Sequence, residues 1–275
     1  MVKSHLSDRG PRRTSLPAFF LLVFVLAALF WLIGPVAQRF LPEERPINLP
    51  VSALMAVCPV IAASAVIGRE YGWKGVRGLL KRSFDWQRIK GKAWYLPILL
   101  LMPTIMVVQY GLRNATRVPI PEPRSPAIMV VVWPLVFFIA ALGEELGWQG
   151  YAIDRLQNRW NALGASIILG TIWATWHIVP LIQLGRTPVQ IVSQCMDMIA
   201  TRVLIVWIYN NTGKSVFAAA SYHAMYNVST LLLPNYGLDY DPTATSILVV
   251  IAAATVAFLW GSKNLARYRY ARLGG

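Results

Sequence analysis

Apolar residues fall in long continuous runs along this chain, at about 16–37, 49–68, 93–112, 126–147, 161–181, 189–211, 215–233 and 244–261. Most approach the roughly 20 residues that a helix needs to cross the hydrocarbon of a bilayer. The runs are continuous rather than alternating. That favours helices over the strands of a closed barrel, the other structure that satisfies its backbone within lipid. The pattern predicts an all-α fold: a polytopic transmembrane helical bundle of about eight spans, with no soluble domain and no internal repeat.

The segments between the runs carry the charge, and they alternate. Four Lys/Arg precede the first run, eight lie between Arg69 and Lys92, Arg155 and Arg159 follow the fourth, Lys214 precedes the seventh, and four follow the eighth. These nineteen contrast with six in the alternate loops: Arg39, Arg45, Arg113, Arg117, Arg124 and Arg186. Basic residues accumulate on the cytoplasmic side, so both termini are expected there. The division that follows is a basic tail at 1–15, a first membrane region at 16–112 with a basic cytoplasmic loop at 69–92, a second at 113–261, and a basic tail at 262–275. The first run is long and lacks a cleavage-site pattern, which marks an uncleaved span. Loop 69–92 is basic, aromatic and amphipathic, as suits a segment on the membrane face. The Pro-rich VPIPEPRSP stretch cannot continue a helix and reads as an external linker.

Composition agrees with the pattern. Hydrophobic residues make up 56% and charged residues 14%, against roughly a quarter charged in soluble domains. The net charge of +14 would suit nucleic acid, but its confinement to alternate loops points to anionic lipid headgroups and excludes a nucleic-acid partner. Cys58 and Cys195 both lie in apolar runs and read as packing residues. The compact form and basic loops suit a bacterial inner membrane.

Ionisable residues within such runs are costly and usually functional. Glu144 and Glu145 lie in GEELGWQGY, His177 in WATWH, and His223 and Asn227 in HAMYN. Adjacent helical residues point about 100° apart, so one glutamate can face a cavity while the other orients a neighbour. A carboxylate held away from bulk water suits general-base work. Trp173 and His177 share a helical face at i, i+4, as do His223 and Asn227. An imidazole with an amide can bind water or a metal, or can make an interhelical hydrogen bond. The rise per residue puts all four polar positions in one layer only if the fourth helix continues past Gly147 and Gly150. The sixth run places Gln190, Gln194, Asp197 and Thr201 on one face with Arg202 nearby. That arrangement reads as a buried Asp–Arg pair or a polar cavity wall.

Taken together, the three motifs resemble those of the CAAX protease and bacteriocin-processing family of intramembrane proteases, also called Abi proteins. GEELGWQGY resembles its Glu-Glu-x-x-x-Arg motif, WATWH its aromatic-x-x-x-His motif, and HAMYN its His-x-x-x-Asn motif. The likeness covers about 125–233, with the motifs inside 143–227. One position departs from it: the family arginine falls on Gln149, which lacks the fixed charge and bidentate fork of Arg but could still hydrogen-bond Glu145.

The resemblance implies an endopeptidase that cuts a peptide or lipidated-protein substrate near the cytoplasmic membrane face. Glu144 would activate water, His177 orient it, His223 and Asn227 stabilise the oxyanion, and Glu145 hold its neighbours in place. Glu144, His177 and His223 could also form an open zinc site, although the HExxH helix is absent, and a divalent metal and a metal-free glutamate–water mechanism are equally compatible. Two other readings remain open at this stage. One is a non-catalytic scaffold or bacteriocin-immunity protein of the same family, which Gln149 would favour. The other is a small-molecule or proton transporter.

Overall fold

The computed structural model describes residues 16–41, 49–116, 129–232 and 242–266. The Pro-rich linker, both basic tails beyond these limits, and Arg45, Arg117 and Arg124 lie outside them. All regular structure among the described residues is helical. The α-helices are α1 (Leu16–Gln38), α2 (Cys58–Lys81), α3 (Tyr95–Ala115), α4 (Met129–Gly147), α5 (Ile153–Gln157), α6 (Ala162–Gln183), α7 (Pro188–Asn211), α8 (Val216–Leu232) and α9 (Pro242–Trp260). A 3-10 segment, Val51–Val57, leads into α2, and a π-helical segment, Trp148–Ala152, joins α4 to α5.

Among the described residues, seven helical stretches are long and apolar enough to cross a membrane, and the chain is an integral, multi-pass membrane protein. The run expected at 215–233 is α8, shorter than the rest at 17 residues. It packs among α3, α4 and α7. Exposed apolar side chains such as Leu21, Val25, Leu29 and Leu32 on α1, and Val131, Leu135 and Ile139 on α4, cover the outside of the bundle. Their place is against lipid, where apolar surface costs nothing.

α7 is the central helix, with 67% of its span buried, and it packs against α6, α8 and α9. Its start is fixed by a capping box. Thr187 Oγ1 accepts from the Gln190 N–H, and Gln190 Oε1 accepts from the Thr187 N–H, which satisfies two otherwise orphaned donors. Gln190 is therefore a helix cap, not part of a polar cavity wall.

The basic loop docks back onto the bundle. α2 breaks at Gly72, whose φ of 62° is a region that favours glycine. Beyond the break, Val76 and Leu79 face inward while Trp73, Lys74 and Arg77 stay exposed, so the amphipathic character expected of this loop is present. Asp85 then caps α8: its Oδ1 accepts from Ser215 Oγ at 2.8 Å and from the Phe217 N–H at 3.0 Å. An acidic group is favourable at a helix N-terminus.

The fourth span does run past its glycines. α4, the π segment and α5 form one helical stretch to Gln157. Its contact with α2 requires glycine, because a Cβ at Gly147 would lie 2.5 Å from the Pro59 Cβ and 2.6 Å from Pro59 backbone atoms. Gly147→Ala should therefore destabilise the protein by about 1–3 kcal/mol, the range for overpacking. Thermal unfolding in detergent measures this, and an unchanged midpoint would contradict the close α2–α4 contact.

Candidate functional site

The α4 helix turns its two glutamates to different neighbours. Glu145 is fully buried and faces α7 and α8. Arg202 Nη1 donates to its Oε1 at 2.9 Å and to its Oε2 at 2.7 Å. His223 Nδ1 lies 2.9 Å from Oε1. A carboxylate accepts, so this contact places the proton on Nδ1 and turns Nε2 away from Glu145. Three helices are thus joined at one carboxylate.

Glu144, 6% exposed, faces α6 instead. The indole N–H groups of Trp173, at 2.7 Å, and Trp148, at 3.3 Å, both donate to its Oε2. His177 is half-buried. Its Nδ1 lies 3.0 Å from the Trp173 carbonyl, which can only accept, so Nδ1 carries the proton and Nε2 offers a lone pair.

Trp173 connects the groups. Besides donating to Glu144, its ring stands edge-on to His177 (5.3 Å between centroids) and to His223 (5.1 Å), and the Arg202 guanidinium carbon lies 4.3 Å above it. A desolvated cation over an indole face is stabilised by about 2 kcal/mol.

Glu144, Trp173, His177, His223 and Asn227 all line one cavity of about 450 Å³, within the size range of ligand pockets. Its other walls are mainly apolar: Leu49, Pro50, Leu54, Met55, Val136, Phe137, Pro180 and Leu181. The layer of polar residues expected along the fourth, fifth and seventh runs is assembled. The described residues include no group of three or more His, Cys, Asp or Glu side chains that could hold a metal ion. The Glu144–His177–His223 set is not gathered as a metal site.

Two expectations change. Arg202 is hydrogen-bonded to Glu145 across helices, while Asp197 on α7 accepts from Tyr226 Oη at 2.7 Å and Thr201 Oγ1 at 3.5 Å. Gln149 is fully buried, and neither amide atom has a hydrogen-bond partner. The hydrogen bond it could have made to Glu145 is absent, and Arg202 and His223 reach that carboxylate instead. The positive charge missing from position 149 arrives from α7. The only basic residue inside an apolar run was the available signal for it. Trp148, four residues after Glu144, could have been found by i, i+4 spacing.

A buried carboxylate, two imidazoles and an amide thus line one apolar cavity inside a helical membrane protein. Residues 126–229 match the family described as Type II CAAX prenyl endopeptidase Rce1-like, a stretch that contains all three motifs. The chain is also 25% identical, over 255 aligned residues covering 87% of it and 92% of the relative, to CAAX prenyl protease 2 of the archaeon Methanococcus maripaludis. The resemblance carried by the motifs therefore holds, and the chain is an intramembrane endopeptidase of the CAAX protease and bacteriocin-processing type.

The Glu145–Arg202 pair makes a stability prediction. Arg202→Met leaves a buried carboxylate without its cation and should cost about 3–5 kcal/mol. The double variant Glu145→Gln, Arg202→Met removes both charges and should recover much of that loss. Unfolding midpoints in detergent compare the three proteins. Equal loss in the single and double variants would contradict a buried, energetically coupled pair.

Proposed function

We propose that Glu144 is the general base of peptide hydrolysis. The observation that supports this most is the pair of indole donors converging on its Oε2. They fix the carboxylate at the cavity wall and leave Oε1 for a water. Glu144 takes a proton from that water as its oxygen attacks the scissile carbonyl carbon. His177 Nε2 accepts the water's other hydrogen and holds it in line.

Negative charge then develops on the carbonyl oxygen. Asn227 donates an amide N–H to it. His223 donates from Nε2 in its doubly protonated form, with Nδ1–H remaining on Glu145. Donors set in advance where charge develops typically contribute ~10²–10³ in rate. When the tetrahedral intermediate collapses, the C–N bond breaks, and Glu144 returns its proton to the leaving amine. Glu145, held by Arg202, positions His223.

The substrate class is a peptide or lipidated protein with an apolar segment that fits the cavity. The relative's name describes processing of a CAAX prenyl protein, and a lipid-modified C-terminus is the first substrate to try. The second membrane region, 113–261, carries the catalytic groups in this reading, and the basic loops meet anionic headgroups. The scaffold reading drew on the loss of arginine at position 149, and Arg202 on Glu145 removes that support.

Purified protein in detergent should cleave a member of a panel of C-terminally lipidated and bacteriocin-like peptides. Glu144→Ala and His223→Ala should each lower cleavage by at least ~10²-fold, in line with loss of a general base or an oxyanion donor. Activity that survives both substitutions would refute these roles. Complementation of a cellular phenotype by Glu144→Ala would favour the scaffold.

A further inference from the structure

Asp197 is another fully buried carboxylate in the membrane bundle, and the hydrolytic steps above do not use it. Such a group is costly within lipid and is usually functional. Tyr226 Oη donates to its Oδ2 at 2.7 Å, and Thr201 Oγ1 to its Oδ1 at 3.5 Å. The first contact is short, as expected of a hydroxyl on an acidic group. The second is long and weak. Asp197 therefore holds the phenol of Tyr226 more firmly than it holds its own helix neighbour.

Tyr226 belongs to the wall of the catalytic cavity. It lines that cavity with His223 and Asn227 from α8 and with Met198 from α7. At 100° per residue, Asn227 points about 40° to one side of His223 on α8, and Tyr226 about 60° to the other. The rings of His223 and Tyr226 lie 6.5 Å apart between centroids, inclined by 61°. Tyr226 is only 8% exposed, so its ring is enclosed beside the histidine with its hydroxyl on Asp197.

Two links thus tie α8 to α7 along this wall. His223 reaches Arg202 through Glu145. Tyr226 reaches Asp197, which precedes Arg202 by about 7.5 Å along the α7 axis. The first link orients the imidazole that meets the reacting carbonyl, and the second orients the ring next to it. An unanchored aromatic ring turns between rotamers as a ligand enters. A phenol fastened at its far end to a buried carboxylate does not.

We propose that Tyr226, locked by Asp197, is the specificity-determining residue for the substrate side chain beside the scissile bond. The inference rests on the hydrolytic reading above. With the carbonyl oxygen at His223 and Asn227, the adjoining side chain of the peptide meets the Tyr226 ring and Met198. That wall is apolar and does not retreat, so it accepts a side chain of alanine or valine size and rejects one of phenylalanine or tryptophan size. Asp197 acts through Tyr226 and is a positioning residue.

The test uses fluorescein-labelled, C-terminally farnesylated peptides in which the residue on each side of the cut is varied from Ala through Val and Leu to Phe and Trp. For the unmodified protein in detergent, kcat/KM should fall by at least about ten-fold from Val to Trp at one of the two positions, the scale on which an apolar pocket discriminates by size. Tyr226→Ala should erase that ratio. Tyr226→Phe keeps the ring but loses the lock, and should give an intermediate ratio. Asp197→Asn retains an acceptor for the phenol and should preserve the ratio. Tyr226→Phe leaves a buried carboxylate short of a donor, which destabilises the fold. The double variant Tyr226→Phe, Asp197→Leu removes both polar groups and should show the same intermediate ratio. A merely structural role lowers cleavage of all the peptides together and leaves the ratio unchanged. An unmodified protein without size preference, or a Tyr226→Ala protein with the preference intact, overturns the proposal. Fluorescence anisotropy of the same peptides with Glu144→Gln protein reads the preference as a ratio of Kd values without hydrolysis. A binding preference that Tyr226→Ala erases, with no cleavage by the unmodified protein, counts against the hydrolytic reading alone. Cleavage whose preference ignores Tyr226 counts against the specificity role alone.

Discussion

Glu145 is a carboxylate with no access to solvent in the middle of a membrane bundle, and the rest of the site follows from how it is satisfied. Arg202 reaches it from α7 with two short contacts, and His223 reaches it from α8. An isolated charge in this place would cost several kcal/mol. The pairing therefore forces α4, α7 and α8 into one relation. It also sets the orientation of the His223 ring, since Nδ1 is held and Nε2 must point elsewhere. The same guanidinium lies over Trp173, whose indole N–H holds Glu144. A single buried cation thus organises both glutamates, one directly and one through an aromatic ring.

Chemistry and packing meet at the α4–α5 stretch. The helix must pass close to α2, and Gly143 and Gly147 allow that approach to the backbone at Ala56 and Pro59. It then widens into a π segment at Trp148–Ala152, a feature that often accompanies functional sites. Trp148 is thereby placed beside Glu144 and edge-on to Trp176. A wall of indoles excludes water from most of the carboxylate while the cavity side stays open to a substrate.

Much of this arrangement was legible in the chain. Continuous apolar runs located the helices, and the polar residues that interrupt them proved to line one cavity. The i, i+4 pairing of Trp173 with His177 and of His223 with Asn227 correctly placed each pair on one face. Contacts set by tertiary structure were not legible. Arg202 and Glu145 lie 57 residues apart, and no local periodicity relates them, so the nearer Asp197 was the natural partner to expect. Gln190 fits a polar helical face equally well as cavity wall or cap, and only the Thr187 geometry separates the two. Gly72 breaks α2 within an amphipathic stretch whose pattern alone is continuous.

The site requires a positive charge beside the Glu145 carboxylate, and Arg202 provides it. The most direct measurement is the cleavage rate of Arg202→Gln, in detergent, on protein shown to be folded, alongside the double variant Arg202→Gln, Gln149→Arg. The account predicts that the single variant loses most of its activity and that arginine restored on the α4–α5 stretch returns part of it. A folded Arg202→Gln protein that cleaves substrate at the unmodified rate would contradict the account.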